Sequence, residues 1–121
     1  MVNQIVLVSL GGFFGAIARY YLNKYYSRFR LFPLGTFLVN TTGSFLMGIL
    51  MGCDWVSSAQ RHLIGSGFLG AYTTFSTFKF ELSMLKRNHR DFQFCLYFVS
   101  SYFVGIGLAF FGYSLTKYIF N

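Results

Sequence analysis

The stretch from 65 to 81 combines aromatic rings with hydroxyl groups inside an apolar part of the chain. Phe75 and Phe78 are three residues apart, so in a helix their rings share one face with Glu81. The residues between the rings are Ser76 and Thr77. The hydrogen edge of a phenyl ring is positive and hydroxyls donate hydrogen bonds, so these groups can replace part of the hydration shell of an anion. The pattern favours an anion site, and the alternative is an aromatic pair that only packs in the core.

The same stretch contains residues that interrupt a regular helix. Its glycines at 65, 67 and 70 lower helix propensity, and the hydroxyls of Thr73 and Thr74 compete for backbone hydrogen-bonding groups. In lipid, a break survives only where protein, water or an ion satisfies the loose N–H and C=O groups. Because unwound carbonyls and half-helix ends point into such gaps, breaks mark ion and substrate sites. The sequence therefore predicts a broken helix at an ion site.

Two more apolar stretches carry polar groups. Asn40 lies well inside one of them, and an amide facing lipid would leave its donors and acceptor unpaired, at a cost of roughly several kcal/mol. Asn40 must therefore face protein or water, either as part of a site or as a hydrogen bond that joins two helices. One face of the last stretch carries residues at four-residue intervals, namely Tyr97, Ser101, Gly105 and Ala109. That face either forms an ion track or packs against a neighbouring helix.

Membrane helices must position these groups. The 121-residue chain has only 11 % charged residues and a mean hydropathy of +0.51, values far from those of soluble domains. Four stretches contain no charged residue, and each is near the roughly 20 residues that a helix needs to cross a bilayer. They are Met1 to Ala18, Leu31 to Cys53, His62 to Phe78 and Phe92 to Thr116. We expect one all-α membrane domain over residues 1–121, with four transmembrane helices of which the third is broken.

Helix limits follow from the flanking polar residues. The first helix is expected over Gln4 to Tyr21, the second from Leu34, and the fourth over Phe92 to Lys117. Glycines at four-residue spacing in the first helix, Gly11 and Gly15, predict close contact with another helix. A similar small-residue ridge in the second helix consists of Ser44, Gly48 and Gly52.

Several function classes lack their parts. Asp54, Glu81 and Asp91 are the only acidic residues and both histidines lie at segment ends, so no catalytic triad, carboxylate pair or metal-ligand set is visible. An enzyme is therefore not expected. The net charge of +7 comes from cations at the ends of apolar segments, where they contact lipid headgroups. No nucleic-acid motif accompanies them, and the two cysteines have no metal-ligand spacing.

Three motifs together resemble the Fluc/CrcB family of fluoride channels. The first helix carries Gly12-x-x-Gly15-Ala16-x-x-Arg19-Tyr20. The second carries Gly35-Thr36-Phe37-x-Val39-Asn40-x-x-Gly43-Ser44-Phe45. The third carries Gly70-x-x-Thr73-Thr74-Phe75-Ser76-Thr77-Phe78. Each motif alone is weak, but the three in order and at these separations are specific.

The resemblance implies a subunit of the plasma membrane that pairs antiparallel with a second subunit and passively exports fluoride from the cytoplasm. It implies that Phe75, Phe78 and Asn40 line the pore. It also implies a structural sodium ion at the dimer centre, held by the backbone carbonyls of Gly70 and Thr73. Further positions implied near the pore or its vestibule are Arg19, Ser76, Thr77, Glu81, Tyr97 and Ser101. Gly105 stands where some relatives have another hydroxyl, so the resemblance gives no donor there.

Two other functions are compatible with a small helical membrane protein. A four-helix drug/proton antiporter would need a proton-cycling carboxylate deep in a span. The first stretch has none, and Glu81 lies near the polar end of its segment beside Lys79. A non-transporting assembly subunit would account for the small-residue ridges but not for Asn40 or the predicted break.

Loop charges predict the orientation of the subunit. With four spans both termini share one side, whose cations are Arg61 and Lys117. The opposite loops carry six cations, namely Lys24, Arg28, Arg30, Lys86, Arg87 and Arg90. Because loops rich in Lys and Arg stay in the cytoplasm, both termini are expected outside. An antiparallel dimer then requires a homologous subunit of inverted bias, unless the chain tolerates the bias and forms a homodimer.

Overall fold

Three long helices form the frame of the protein. A computed structural model describes residues 1–28 and 32–120, and within these ranges it contains helices and no β-strand. Helix α1 is Val2–Tyr26 and helix α2 is Leu34–Gly52. The last long helix, α5, is Asp91–Phe120, and all three are long and apolar enough to cross a membrane. The predicted all-α membrane architecture is confirmed at this level. Two residues used in the predictions lie outside the described residues. They are Arg30, a cation of the first loop, and Leu31, the start of the second uncharged stretch.

The helical segment that follows α2 changes its geometry along its length. It starts with an α-helical turn, Ser58–Gln60, continues as a π-helix, Arg61–Leu69, and ends with a second turn, Gly70–Tyr72. We name residues 58–72 helix α3. A capping box starts it, because the Ser57 hydroxyl accepts from the Gln60 N–H while the Gln60 side chain accepts from the Ser57 N–H.

Thr73 and Thr74 have extended backbone conformations, with ψ of 156° and 121°. Helix α4, Phe75–Arg87, follows directly. Thr74 is its N-cap, since the Thr74 hydroxyl accepts a hydrogen bond from the Thr77 N–H at 3.3 Å. A capping threonine of this kind stabilises a helix start by about 1 kcal/mol. The side chain that weakens a continuous helix here therefore also begins the next one.

Helices α1 and α5 extend beyond their predicted limits of 4–21 and 92–117. The extra turns contain residues such as Lys24 and Tyr25, both of which are exposed. Long cationic and aromatic side chains keep their polar ends in water while the helix continues beneath them. The prediction ended the helices near their first flanking polar residues and so placed the ends too early.

Glycines bring α1 against α3. A Cβ atom at Gly11 would collide with the carbonyl oxygen of Leu63, and one at Gly15 would collide with that of Phe68. The predicted close helix contact through this glycine pair is therefore present, and its partner is the π-helical segment.

The ridge on α2 packs against α5. A Cβ atom at Gly48 would collide with the carbonyl oxygen of Ala109, and one at Gly52 would lie 2.8 Å from the Thr116 Cβ. A Cβ at Gly105 would lie 3.6 Å from the Ser44 hydroxyl. At Ala109, the small-residue face of α5 therefore contacts α2.

The Gly48→Ala variant is expected to unfold more easily than the wild type, by about 1–3 kcal/mol, because backbone must move to admit the methyl group. The matched control is Gly107→Ala on α5, where a Cβ would meet nothing within 4 Å. That variant gains helix propensity without a clash and is expected to be neutral or stabilised. Thermal unfolding in detergent checks both, and equal melting temperatures for the two variants would contradict the packing assigned to Gly48.

Candidate functional site

A central groove lies where α2, the extended threonines, α4 and α5 meet. Its volume is about 370 Å³. The polar residues that line it are Asn40, Ser44, Thr73, Thr74, Ser101 and Tyr102, and the others are Phe75, Phe78, Gly105, Ile106 and Ala109. No lining residue is ionised at neutral pH. The groove therefore offers neutral donors, carbonyls and ring edges in one place.

The Asn40 side chain is bound to the backbone between α3 and α4. Its Nδ2 donates to the Thr74 carbonyl oxygen at 2.9 Å, and its Oδ1 accepts from the Thr74 N–H at 2.7 Å. Asn40 is half-buried and also lines the groove. Since an amide nitrogen carries two N–H groups, one donor remains beyond the bond to Thr74. The two interpretations of Asn40, a link between helices and a residue of the site, are therefore compatible.

Two backbone carbonyls lie at the end of α3. In a continuous helix the Thr74 N–H would bond to the Gly70 carbonyl, but here it donates to Asn40 instead. Gly70 is exposed. The Thr73 carbonyl accepts a long hydrogen bond of 3.4 Å from Arg19 Nη1. Arg19 is thus located at the extended threonines, and it does not line the central groove.

The two phenylalanines of α4 both face the groove but differ in burial. Their ring centroids are 6.1 Å apart. Phe75 is 65 % exposed, whereas Phe78 is only 4 % exposed and packs edge-on against the Tyr97 ring at 5.0 Å. Phe78 belongs to a buried cluster with Leu82, Leu85 and Tyr97 that attaches α4 to α5. One ring is therefore fixed by the core, and the other lies at the open side of the groove.

A second cavity of about 460 Å³ lies at the other end of α4. Glu81 lines it, and the two Glu81 carboxylate oxygens accept hydrogen bonds from Thr36 Oγ1 at 2.8 Å and the Tyr97 hydroxyl at 2.7 Å. Thr77 also lines this cavity, and its hydroxyl accepts from Thr74 Oγ1 at 3.1 Å. A chain of hydroxyl groups therefore connects the extended threonines with the second cavity.

The structure divides the predicted site residues. It brings Asn40, Thr73, Phe75, Phe78 and Ser101 together in the central groove. It places Thr77 and Glu81 in the second cavity, and Gly70 in a third cavity of about 300 Å³ beside Arg61. The remaining predicted residues, Arg19, Ser76 and Tyr97, line none of these three cavities. Tyr97 is fully buried, and Ser76 is exposed with its hydroxyl 3.4 Å from Thr74 Oγ1.

Sequence reasoning missed two residues that contact the predicted ones. Thr36 follows Pro33 and Gly35 at the start of α2, and its bond to Glu81 joins residues 45 positions apart. Tyr102 follows Ser101 in the groove lining. The available signal was the same for both, since a hydroxyl in an apolar helix needs a partner. For Thr36, spacing alone did not reveal that partner because Glu81 lies on a different helix.

These groups can bind a small ligand through hydrogen bonds. Within residues 1–28 and 32–120, no group of three or more His, Cys, Asp or Glu side chains could hold a metal ion. The Ser101 hydroxyl oxygen is buried and has no hydrogen-bond partner in the same ranges. Buried polar atoms are nearly always paired, so an exception inside a cavity indicates a missing partner. Neutral donors around such a space suit a small anion or water.

Comparison with known proteins identifies the family of this chain. Residues 6–113 match the family described as CrcB-like protein, Camphor Resistance (CrcB). This chain belongs to the CrcB family. A relative named fluoride-specific ion channel FluC 2 from Bacillus cereus is 43 % identical over 114 residues, which cover 93 % of this chain and 96 % of the relative.

Two further relatives come from other organisms. The protein named fluoride-specific ion channel FluC 1 of Geobacillus kaustophilus is 42 % identical, covering 93 % of this chain and 97 % of the relative. The one named fluoride-specific ion channel FluC of Pyrococcus furiosus is 39 % identical, covering 95 % and 97 %. The resemblance seen in the three motifs is thus confirmed. With its three apolar spanning helices, this CrcB family member is a multi-pass protein of the plasma membrane.

Proposed function

We propose that this protein is a fluoride channel that passively conducts the ion out of the cytoplasm. The observation that carries the proposal is the central groove, where the Asn40 amide, the unpaired Ser101 hydroxyl and the rings of Phe75 and Phe78 converge beside the extended threonines. Relatives named as fluoride-specific channels support the choice of ion. The protein is proposed to be a channel and not an enzyme.

The groove suits conduction because its lining is neutral. Hydrogen-bond donors and positive ring edges compensate a fluoride ion for part of its lost hydration, whereas a fixed cation in the groove would hold it. Arg19, the one cation among the predicted site residues, donates to the Thr73 carbonyl and does not line the groove. A membrane potential that is negative inside drives an anion outward by about 2.3 kcal/mol per 100 mV, so export requires no energy source other than this potential.

The proposed pore requires a second, antiparallel subunit. We propose that residues 58–87 form one membrane crossing, broken at Thr73 and Thr74, which gives four spans in total. Support comes from exposure, since Phe75 is 65 % exposed and Gly70 is exposed although both lie near the middle of this crossing. Polar backbone at such a depth needs protein or water around it. A partner subunit that covers this face would close the groove.

Fluoride release from liposomes tests the proposal. Purified protein is reconstituted in its dimeric form, the external fluoride and chloride are removed, and efflux is followed with ion-selective electrodes. Rapid fluoride release with little chloride release is expected. If neither ion is released, or if chloride leaves as fast as fluoride, the proposed function is wrong.

A structural sodium ion is proposed at the Gly70 and Thr73 carbonyls, together with those of the second subunit. The residues fit such an ion, since neutral oxygens are the ligands of hard cations and the usual helical donor to the Gly70 carbonyl is bound to Asn40. Replacing sodium by a bulky organic cation is expected to abolish fluoride efflux, while side-chain changes at Thr73 have smaller effects. Unchanged efflux in sodium-free buffer would contradict the site.

The proposed orientation has both termini outside. The two cations on that side are engaged within the chain, because Lys117 pairs with Asp54 and Arg61 Nη2 donates to the Cys53 carbonyl at 2.8 Å. Among the described residues, the other side has five cations: Lys24, Lys86 and Arg87 lie in the last turns of helices, and Arg28 and Arg90 lie in the loops that follow them. A C-terminal reporter that fluoresces only in the cytoplasm is therefore expected to stay dark. A strong signal would rule out this orientation, and an even split between both sides would support a homodimer over pairing with an inverted homologue.

A further inference from the structure

Tyr102 is a groove residue that the proposed pore does not yet use. It lies on α5 directly after Ser101 and lines the same cavity as Asn40, Phe75 and Phe78. Its side chain is 43 % exposed, so it is neither a core residue nor fully outside the protein. Its position brings a phenol group to the rings that are proposed to contact the ion.

Neighbouring rings fix the orientation of Tyr102. Its ring meets the Phe78 ring nearly edge-on, with centroids 5.9 Å apart and an interplanar angle of 77°. Its ring also contacts Phe98, with centroids 5.0 Å apart. Contacts of this type add about 0.5–1.5 kcal/mol beyond apolar burial. Tyr102 therefore loses little side-chain freedom when its hydroxyl binds a ligand.

The Tyr102 hydroxyl has no hydrogen-bond partner in the part of the chain that the structure describes. Other tyrosines of the interior differ in this respect. The Tyr97 hydroxyl donates to Glu81 at 2.7 Å, and the Tyr72 hydroxyl pairs with Thr42 at 2.9 Å. The Tyr102 hydroxyl lines an open groove and is not committed to another residue, so it is available to donate to a ligand that enters there.

We propose that Tyr102 is a selectivity-determining residue that donates its O–H to the permeating anion beside the Phe78 ring, an inference that rests on the proposed fluoride channel function. Three neutral donors then line the same groove, since the Ser101 hydroxyl is unpaired and one Asn40 N–H is available. Short, strong hydrogen bonds form between O–H donors and compact anions. An added phenol donor therefore favours fluoride over larger halides.

The Tyr102→Phe variant isolates the hydroxyl, because it keeps the ring and its contacts with Phe78 and Phe98. The half-saturating fluoride concentration for efflux is expected to rise about tenfold, the effect of losing one hydrogen bond to a charged group. The fraction of dimer and the melting temperature are expected to stay unchanged. A packing defect would instead lower the maximal flux without changing the half-saturating concentration.

The matched control is Tyr113→Phe, a change on the same helix at a residue that is also 43 % exposed but does not line the groove. It is expected to match the wild type. The proposal is overturned if Tyr102→Phe has wild-type saturation, if only its maximal flux falls, or if its dimer dissociates. Failure of the wild type to conduct fluoride would instead overturn the channel function itself, so the two failures are distinguishable.

Discussion

Asn40→Asp is expected to reduce fluoride flux by two to three orders of magnitude, an estimate of about 4 kcal/mol for two like charges about 4 Å apart near a protein surface. The substitution keeps the size of the side chain and places a negative charge in the lining of the groove. The substitution also places an acceptor opposite the Thr74 carbonyl oxygen, which in the wild type accepts an N–H from Asn40 at 2.9 Å. The negative charge repels an anion in the groove, and the lost bond to Thr74 no longer fixes the position of the side chain.

The neighbouring Thr41→Val variant is the control for this prediction. Thr41 is buried on the same helix, and its hydroxyl bonds only to carbonyls of the preceding turn, at Phe37 and Leu38. Its flux is expected to be close to that of the wild type. Efflux from liposomes with equal amounts of dimer compares the two variants. Normal conduction by Asn40→Asp would mean that the amide only links α2 to the segment after α3.

The fold could be predicted from composition and spacing because lipid leaves few options. Uncharged stretches of sufficient length can satisfy their backbone in a bilayer only as helices, so α1, α2 and α5 followed from the sequence. The glycine pair Gly11 and Gly15 similarly indicated a close contact, because only a small residue admits another backbone at that distance. The sequence did not indicate which helix would pack against each small-residue ridge.

The site was harder to predict from the sequence than the fold, because its geometry depends on contacts between segments that are distant in the chain. The resemblance named residues from all four predicted helices but not their contacts: Asn40 and Thr74 bond across 34 positions, and Tyr97 bonds to Glu81 across 16. The π-helical geometry of Arg61–Leu69 also had no signal beyond a low helix propensity. The glycines indicate that a regular α-helix is weak there. In the structure, this π-helical segment packs closely against α1.

The role of Asn40 shows why the two sequence interpretations appeared to compete. An amide has several donors and acceptors, so a single side chain can join two helices and still present an N–H to a cavity. The bonds to the Thr74 N–H and C=O fix the amide plane, which orients the remaining donor. Linking the helices is thus a condition for a well-positioned site and not an alternative to it.

The rings of α4 give the second large prediction. Phe75→Ile and Phe78→Ile keep apolar bulk but remove the positive ring edge, and each is expected to lower fluoride flux by one to two orders of magnitude, on the scale of about 2 kcal/mol for a desolvated ion beside an aromatic ring. Phe78→Ile also leaves a gap beside Tyr97 in the buried cluster and is expected to lower stability by about 1–3 kcal/mol. Phe75 is 65 % exposed in the single subunit, so Phe75→Ile separates conduction from folding more cleanly.

Phe80→Ile is the matched control for Phe75→Ile. Phe80 lies on the same helix and is 64 % exposed, but it does not line the groove. Its replacement removes the same number of ring atoms from a comparable surface, so it is expected to conduct like the wild type. Efflux assays on the three variants, with the dimer fraction checked by gel filtration, distinguish the roles of the rings. Equal flux in Phe75→Ile and Phe80→Ile would reduce Phe75 to a packing residue, because only a contact with the ion requires the ring edge at one position and not at the other.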